Sequence, residues 1–120
     1  EIVDTLSKLD TYDFMNSKII YFKLCGEEYE PSSFNNTLKQ LYRKIGNGKK
    51  IMEKTMLNIQ PGKKIDKGYK YMNEPNLQIS YQGFEKNRGI KEFLHQSKIN
   101  KMKMEMHIEL ANNKKINIKV

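Results

Sequence analysis

Residues 101–110 read Lys-Met-Lys-Met-Glu-Met-His-Ile-Glu-Leu, and the reading of this stretch decides the fold. Met102, Met104, Met106, Ile108 and Leu110 alternate with charged or polar residues. A period of two puts the apolar set on one face of an extended chain, so the segment predicts an antiparallel strand buried on one side. Asn112-Asn113 suits a turn with positive φ, and Ile116, Ile118 and Val120 repeat the alternation. The chain is therefore expected to finish in a β-hairpin.

Upstream, residues 86–98 predict a helix with Ile90, Phe93 and Leu94 turned inward. Leu77, Ile79 and Tyr81 predict a short strand between Pro75 and Gly83, and residues 61–70 a lysine-rich loop. Pro31-Ser32-Ser33 opens a helix with serine as its cap, and Phe34, Leu38, Leu41, Tyr42 and Ile45 form one apolar stripe. Gly46 falls where a left-handed C-cap belongs, and Asn47-Gly48 makes the turn. A second helix is expected over about 49–59, with Met52, Met56 and Ile59 on one face and Pro61-Gly62 as its stop. Residues 18–25 (Lys-Ile-Ile-Tyr-Phe-Lys-Leu-Cys) predict a mostly buried strand closed by Gly26. Ile2, Val3, Leu6 and Leu9 predict a short helix over about 2–10.

This order predicts a single α+β domain over residues 1–120: a small mixed or antiparallel sheet with helices on one face and a C-terminal β-hairpin. A winged-helix-like arrangement with the hairpin as its wing is the alternative. The extra strand and helix between residues 76 and 98 count against it. With 120 residues and 14.2 kDa the chain can bury one core. No apolar run approaches the roughly 18 residues of a membrane span, and mean hydropathy is -0.78. The lone cysteine, Cys25, cannot close an internal disulfide, which fits a reducing, cytoplasmic setting and is read as a small buried hydrophobe at a strand end. A chain that opens on Glu1 is expected to be a piece of a longer protein.

Charge is unevenly distributed. Residues 39–70 carry ten bases against Glu53 and Asp66, whereas residues 1–38 carry three bases against seven acids. The middle third thus holds a surplus equal to the whole chain's net charge of +8. Such a patch is the electrostatic footprint of a polyanion-binding face. The competing reading is compositional: lysine outnumbers arginine 20 to 2 and asparagine occurs 12 times, as in an A/T-rich coding sequence. With only Arg43 and Arg88 able to form a guanidinium fork, lysines would neutralise phosphates as point charges and choose little among sequences.

Catalytic chemistry is sparsely supplied. His107 lies on the outward row of the last long strand between Glu105 and Glu109, and His95 sits beside Leu94 on the 86–98 helix. Neither has a metal-ligand spacing partner. Glu27, Glu28 and Glu30 are expected in the loop after the first strand, with Asp10 and Asp13 before it, as solvated charges. No phosphate-cradling glycine motif occurs, and Gly46-Asn47-Gly48-Lys49-Lys50 is like one in composition only. The expectation is a non-enzyme with no cofactor and no metal. One constellation rises above this background, the interleaved Lys63, Lys64, Lys67, Tyr69, Lys70 and Tyr71. Lysines could hold a backbone while tyrosines stack on bases; alternatively both tyrosines point into the core.

The stretches 18–29, 32–38, 63–65 and 69–77, with the Ile-Lys-Glu-Phe-Leu segment of 90–94, resemble an uncharacterised accessory module near the C-termini of bacterial multidomain proteins, some of them restriction or phage-defence nucleases. The resemblance covers about residues 18–110, has no catalytic signature and implies a non-catalytic role. The expected function is nucleic-acid binding, DNA ahead of RNA, through Lys44, Lys49, Lys50, Lys63, Lys64, Lys67 and Lys70, with Tyr69 or Tyr71 stacking. Neighbouring domains of the parent protein are expected partners, and no membrane is. The second reading is a protein-docking domain that contacts its partner through the acidic 1–30 segment or the methionine-rich final strand.

Overall fold

The computed structural model describes residues 17–63, 68–82, 86–111 and 113–120. Among them run β1 (Lys18–Leu24), β2 (Glu27–Tyr29), α1 (Phe34–Ile45), α2 (Gly48–Lys54), β3 (Ile59–Pro61), β4 (Tyr69–Met72), β5 (Ile79–Gln82), α3 (Lys86–Ile99), β6 (Met104–Glu109) and β7 (Lys115–Lys119). The fold is α+β, and its strands form two antiparallel sheets, β2-β1-β6-β7 and β3-β5-β4. The helix expected over 2–10, and Asp10, Asp13, Lys64, Lys67, Gly83 and Asn112, lie outside the described residues.

The C-terminal hairpin follows the sequence pattern. Met104, Met106 and Ile108 are buried on β6, and Ile116 and Ile118 opposite them on β7, with Asn113 at φ 66 in the turn. Both methionines belong to the core. β6 also pairs with β1, whose Ile19, Phe22 and Leu24 extend the same apolar face. Phe22 meets Phe93 of α3 with ring centroids 6.1 Å apart, while Tyr42 of α1 meets Tyr81 of β5 edge-on at 6.3 Å. Helices thus pack on one face of each sheet.

α1 forms as its caps predict. The Ser33 hydroxyl accepts the Asn36 N–H at 3.1 Å, and Gly46 at φ 66 donates its N–H to the Tyr42 carbonyl at 2.8 Å. Asn47 caps α2 by accepting the Lys50 N–H at 3.0 Å. Gly48 has to be glycine for reasons of space: a Cβ there would lie 2.8 Å from Cγ2 of Ile79.

Four local expectations are corrected. Glu27 and Glu28 are in β2, because Cys25 and Gly26 at φ 52 and 83 form a two-residue hairpin turn. That turn exposes Cys25, which is not the buried hydrophobe expected. The helix expected over 49–59 stops at Lys54, leaving Met56 45% exposed and Ile59 in a strand. Its end is captured by a carboxylate: Glu92 of α3 accepts the Thr55 hydroxyl at 2.7 Å and the Met56 N–H at 2.8 Å. The fourth correction is that β3, β4 and β5 build a second sheet where one sheet was expected.

Candidate functional site

The second sheet positions the residues the sequence singles out. Met72, Ile79 and Tyr81 are buried on its helix-facing side, which fixes the parity of both strands. Tyr69 and Tyr71 therefore point the other way, toward solvent, with half-buried rings, opposite Gln82 and Ser80 on β5. Gln60 of β3 lies across from Ser80 on this same outer side. Of the two alternatives for the tyrosines, the structure adopts the outward one.

Hydrogen bonds hold this outer face in place. The Asn58 amide donates to the Tyr69 hydroxyl at 3.1 Å and to Oε1 of Gln82 at 2.8 Å. The Tyr71 hydroxyl donates to Oδ1 of Asn73 at 3.4 Å, which also accepts from Gln78 at 3.2 Å. Ser80, fully buried, donates to the Gly62 carbonyl at 2.6 Å and ties the chain leaving β3 to the middle strand. No outward residue of this sheet among the described residues is acidic.

The expected lysines divide into groups. Gly62 donates to the Gln78 carbonyl at 2.9 Å and Gly48 to the Asn76 carbonyl at 2.7 Å, so Lys63, Lys49 and Lys50 border the same end of the sheet. All three are exposed, and none pairs with an acid among the described residues. Lys44 lies elsewhere, 3.8 Å from Glu27 of the first sheet. Lys70 has the opposite parity to the tyrosines and lines a cavity of about 530 Å³ with Lys18, Phe34 and Tyr81. Arg43 is held by Glu74 at 2.8 Å.

The first sheet's outer face behaves differently. Across its strands Glu28, Lys23, Glu105 and Lys119 stand in one row, and Lys18, Glu109 and Lys115 in another. Acids and bases alternate along each row, and Lys18 approaches Glu109 to 3.7 Å. His107 bonds Glu105 at 2.8 Å and stacks near Tyr21 at 4.7 Å, within this balanced face. Among the described residues no three His, Cys, Asp or Glu side chains converge on a common point. No described helix is long and apolar enough to cross a membrane.

Sequence reading missed Glu92. It is fully buried at the junction of α1, α2 and α3, where Oε2 also accepts the Tyr42 hydroxyl at 2.6 Å and the Gln96 amide at 3.3 Å. A glutamate and a glutamine four apart among apolar helix residues were the available signal. Burial first, and the Glu92 charge second, push the Tyr42 hydroxyl well above the usual tyrosine range. No protein-family model, curated protein or solved structure matches this chain.

Proposed function

We propose that this chain is a non-catalytic nucleic-acid-binding domain, an accessory module of a longer protein, in which lysines around the second sheet contact phosphates. One observation supports the reading: three exposed lysines gather at one end of the second sheet. On the first sheet, bases alternate with acids in register, so that face is nearly self-neutralised. At the end of the second, Lys49, Lys50 and Lys63 stand exposed with no acidic partner among the described residues. A surplus owed to codon composition alone would be scattered over both faces, whereas a phosphate-binding face requires uncompensated cations gathered at one place.

Binding by such lysines is expected to fall steeply with salt and to depend weakly on sequence. The test is fluorescence anisotropy with labelled single-stranded and duplex DNA at about 50 and 200 mM salt. Affinity that drops by orders of magnitude across that range, and collapses in Lys63→Glu with Lys49→Glu, supports the reading. Absence of binding at the lower salt overturns it and leaves the lysine surplus to composition.

A further inference from the structure

The lysines explain attraction to a polyanion but not which form of it fits, and the outer face of the second sheet carries that further step. Resting on the nucleic-acid reading above, we infer that this face is a stacking platform for single-stranded DNA, on which Tyr69 and Tyr71 each receive a base.

Three features support this. Tyr69 and Tyr71 are two residues apart on one strand, so their origins are separated by about 6.6–6.8 Å. That is roughly twice the ~3.4 Å rise per nucleotide along a strand, which leaves room for one base per ring on a stretched chain. Both hydroxyls are tethered at the sheet's rim, Tyr69 to Asn58 and Tyr71 to Asn73, which limits ring motion before any ligand arrives. Among the described residues the surrounding groups are neutral carboxamides (Asn58, Gln60, Gln78, Gln82), which offer donors and acceptors to base edges without repelling phosphate. Lys63 at the border supplies backbone attraction. A duplex buries its base faces in its own stack, so tyrosine platforms select single strands.

The test compares about 12-nucleotide thymidine strands, abasic strands of equal length and matching duplexes, each labelled, at about 50 mM salt. The thymidine strand is expected to bind at least tenfold tighter than the abasic one and to quench tyrosine fluorescence of the unmodified protein. Tyr69→Leu and Tyr71→Leu are each expected to weaken it roughly fivefold or more in variants that remain folded by circular dichroism, while Tyr71→Phe stays within about twofold. Equal binding of thymidine and abasic strands, or leucine variants that bind as the unmodified protein does, overturns the platform and leaves the lysine reading standing. A uridine ribo-strand held more than tenfold tighter reassigns the face to RNA and overturns the DNA assignment. Failure of every strand and duplex to bind removes the lysine reading itself.

Discussion

The sharpest perturbation of this fold is Glu92→Gln. The Glu92 carboxylate accepts four hydrogen bonds: from Tyr42 at 2.6 Å, Thr55 at 2.7 Å, the Met56 N–H at 2.8 Å and Gln96 at 3.3 Å. All four groups donate, so an ionised carboxylate satisfies them and an amide cannot. Glutamine keeps the shape but turns an NH2 toward one oxygen's donors. If it replaces Oε1, the Met56 N–H loses its acceptor; if it replaces Oε2, three donors do. A stranded buried donor costs about 1–3 kcal/mol, and bonds to a charged acceptor are worth roughly 1.5–3 kcal/mol against about 1 for neutral ones. The expected loss is therefore about 2–4 kcal/mol. For a domain of this size that lowers Tm by roughly 8–16 °C, taking about 4 °C per kcal/mol. Circular-dichroism melts and urea titrations of the variant measure it. Glu92→Leu should cost more, because it strands every donor. A Glu92→Gln protein within about 0.5 kcal/mol of the unmodified one would refute the clamp.

Gly48→Ala forces a Cβ to within 2.8 Å of Ile79, so a loss of about 1–3 kcal/mol is expected in urea titration. Lys44→Ala should change stability by under about 1 kcal/mol, because its pairing with Glu27 is solvent-exposed, and denaturant midpoints check this. Alkaline pH should unfold the domain: burial pushes the Tyr81 hydroxyl up to about 12 from 10.0 and raises Tyr42 as well. The folded state holds both protons more tightly, so their stabilisation is complete below pH 10; the Tyr81 part is lost as pH rises through about 12, and the Tyr42 part at higher pH still. Absorbance of tyrosinate should then rise in step with loss of the circular-dichroism signal, whereas independent titration of all tyrosines near pH 10 would contradict it.

Much of the fold was legible wherever burial is one-sided. The period-two pattern of 102–110 placed β6, and the 34–45 stripe with Ser33 and Gly46 at its ends placed α1, because local geometry and apolar spacing agree there. Reading failed at residues 55–61. Met52, Met56 and Ile59 continue a helical spacing, but the chain stops because Glu92, thirty-six residues beyond Met56, takes its N–H. Spacing along a chain carries no record of an acceptor supplied from another element. β2 was missed for a related reason: three residues are too few to show a period, and pairing with β1 is what makes them a strand.

The candidate site divides along the same line. Which residue types are present, the lysine surplus of 39–70 and the alternation of Tyr69, Lys70 and Tyr71 are properties of the sequence alone. Alternation separates Lys70 from the tyrosines but cannot say which side is wet. Tertiary packing decided that, because Met72, Ile79 and Tyr81 had to be buried against the helices and left the tyrosines facing out. Charge compensation was decided in the same way. Lys23, Lys115 and Lys119 stand in register with acids on neighbouring strands and Lys18 approaches Glu109 to 3.7 Å, and cross-strand register exists only in the folded chain.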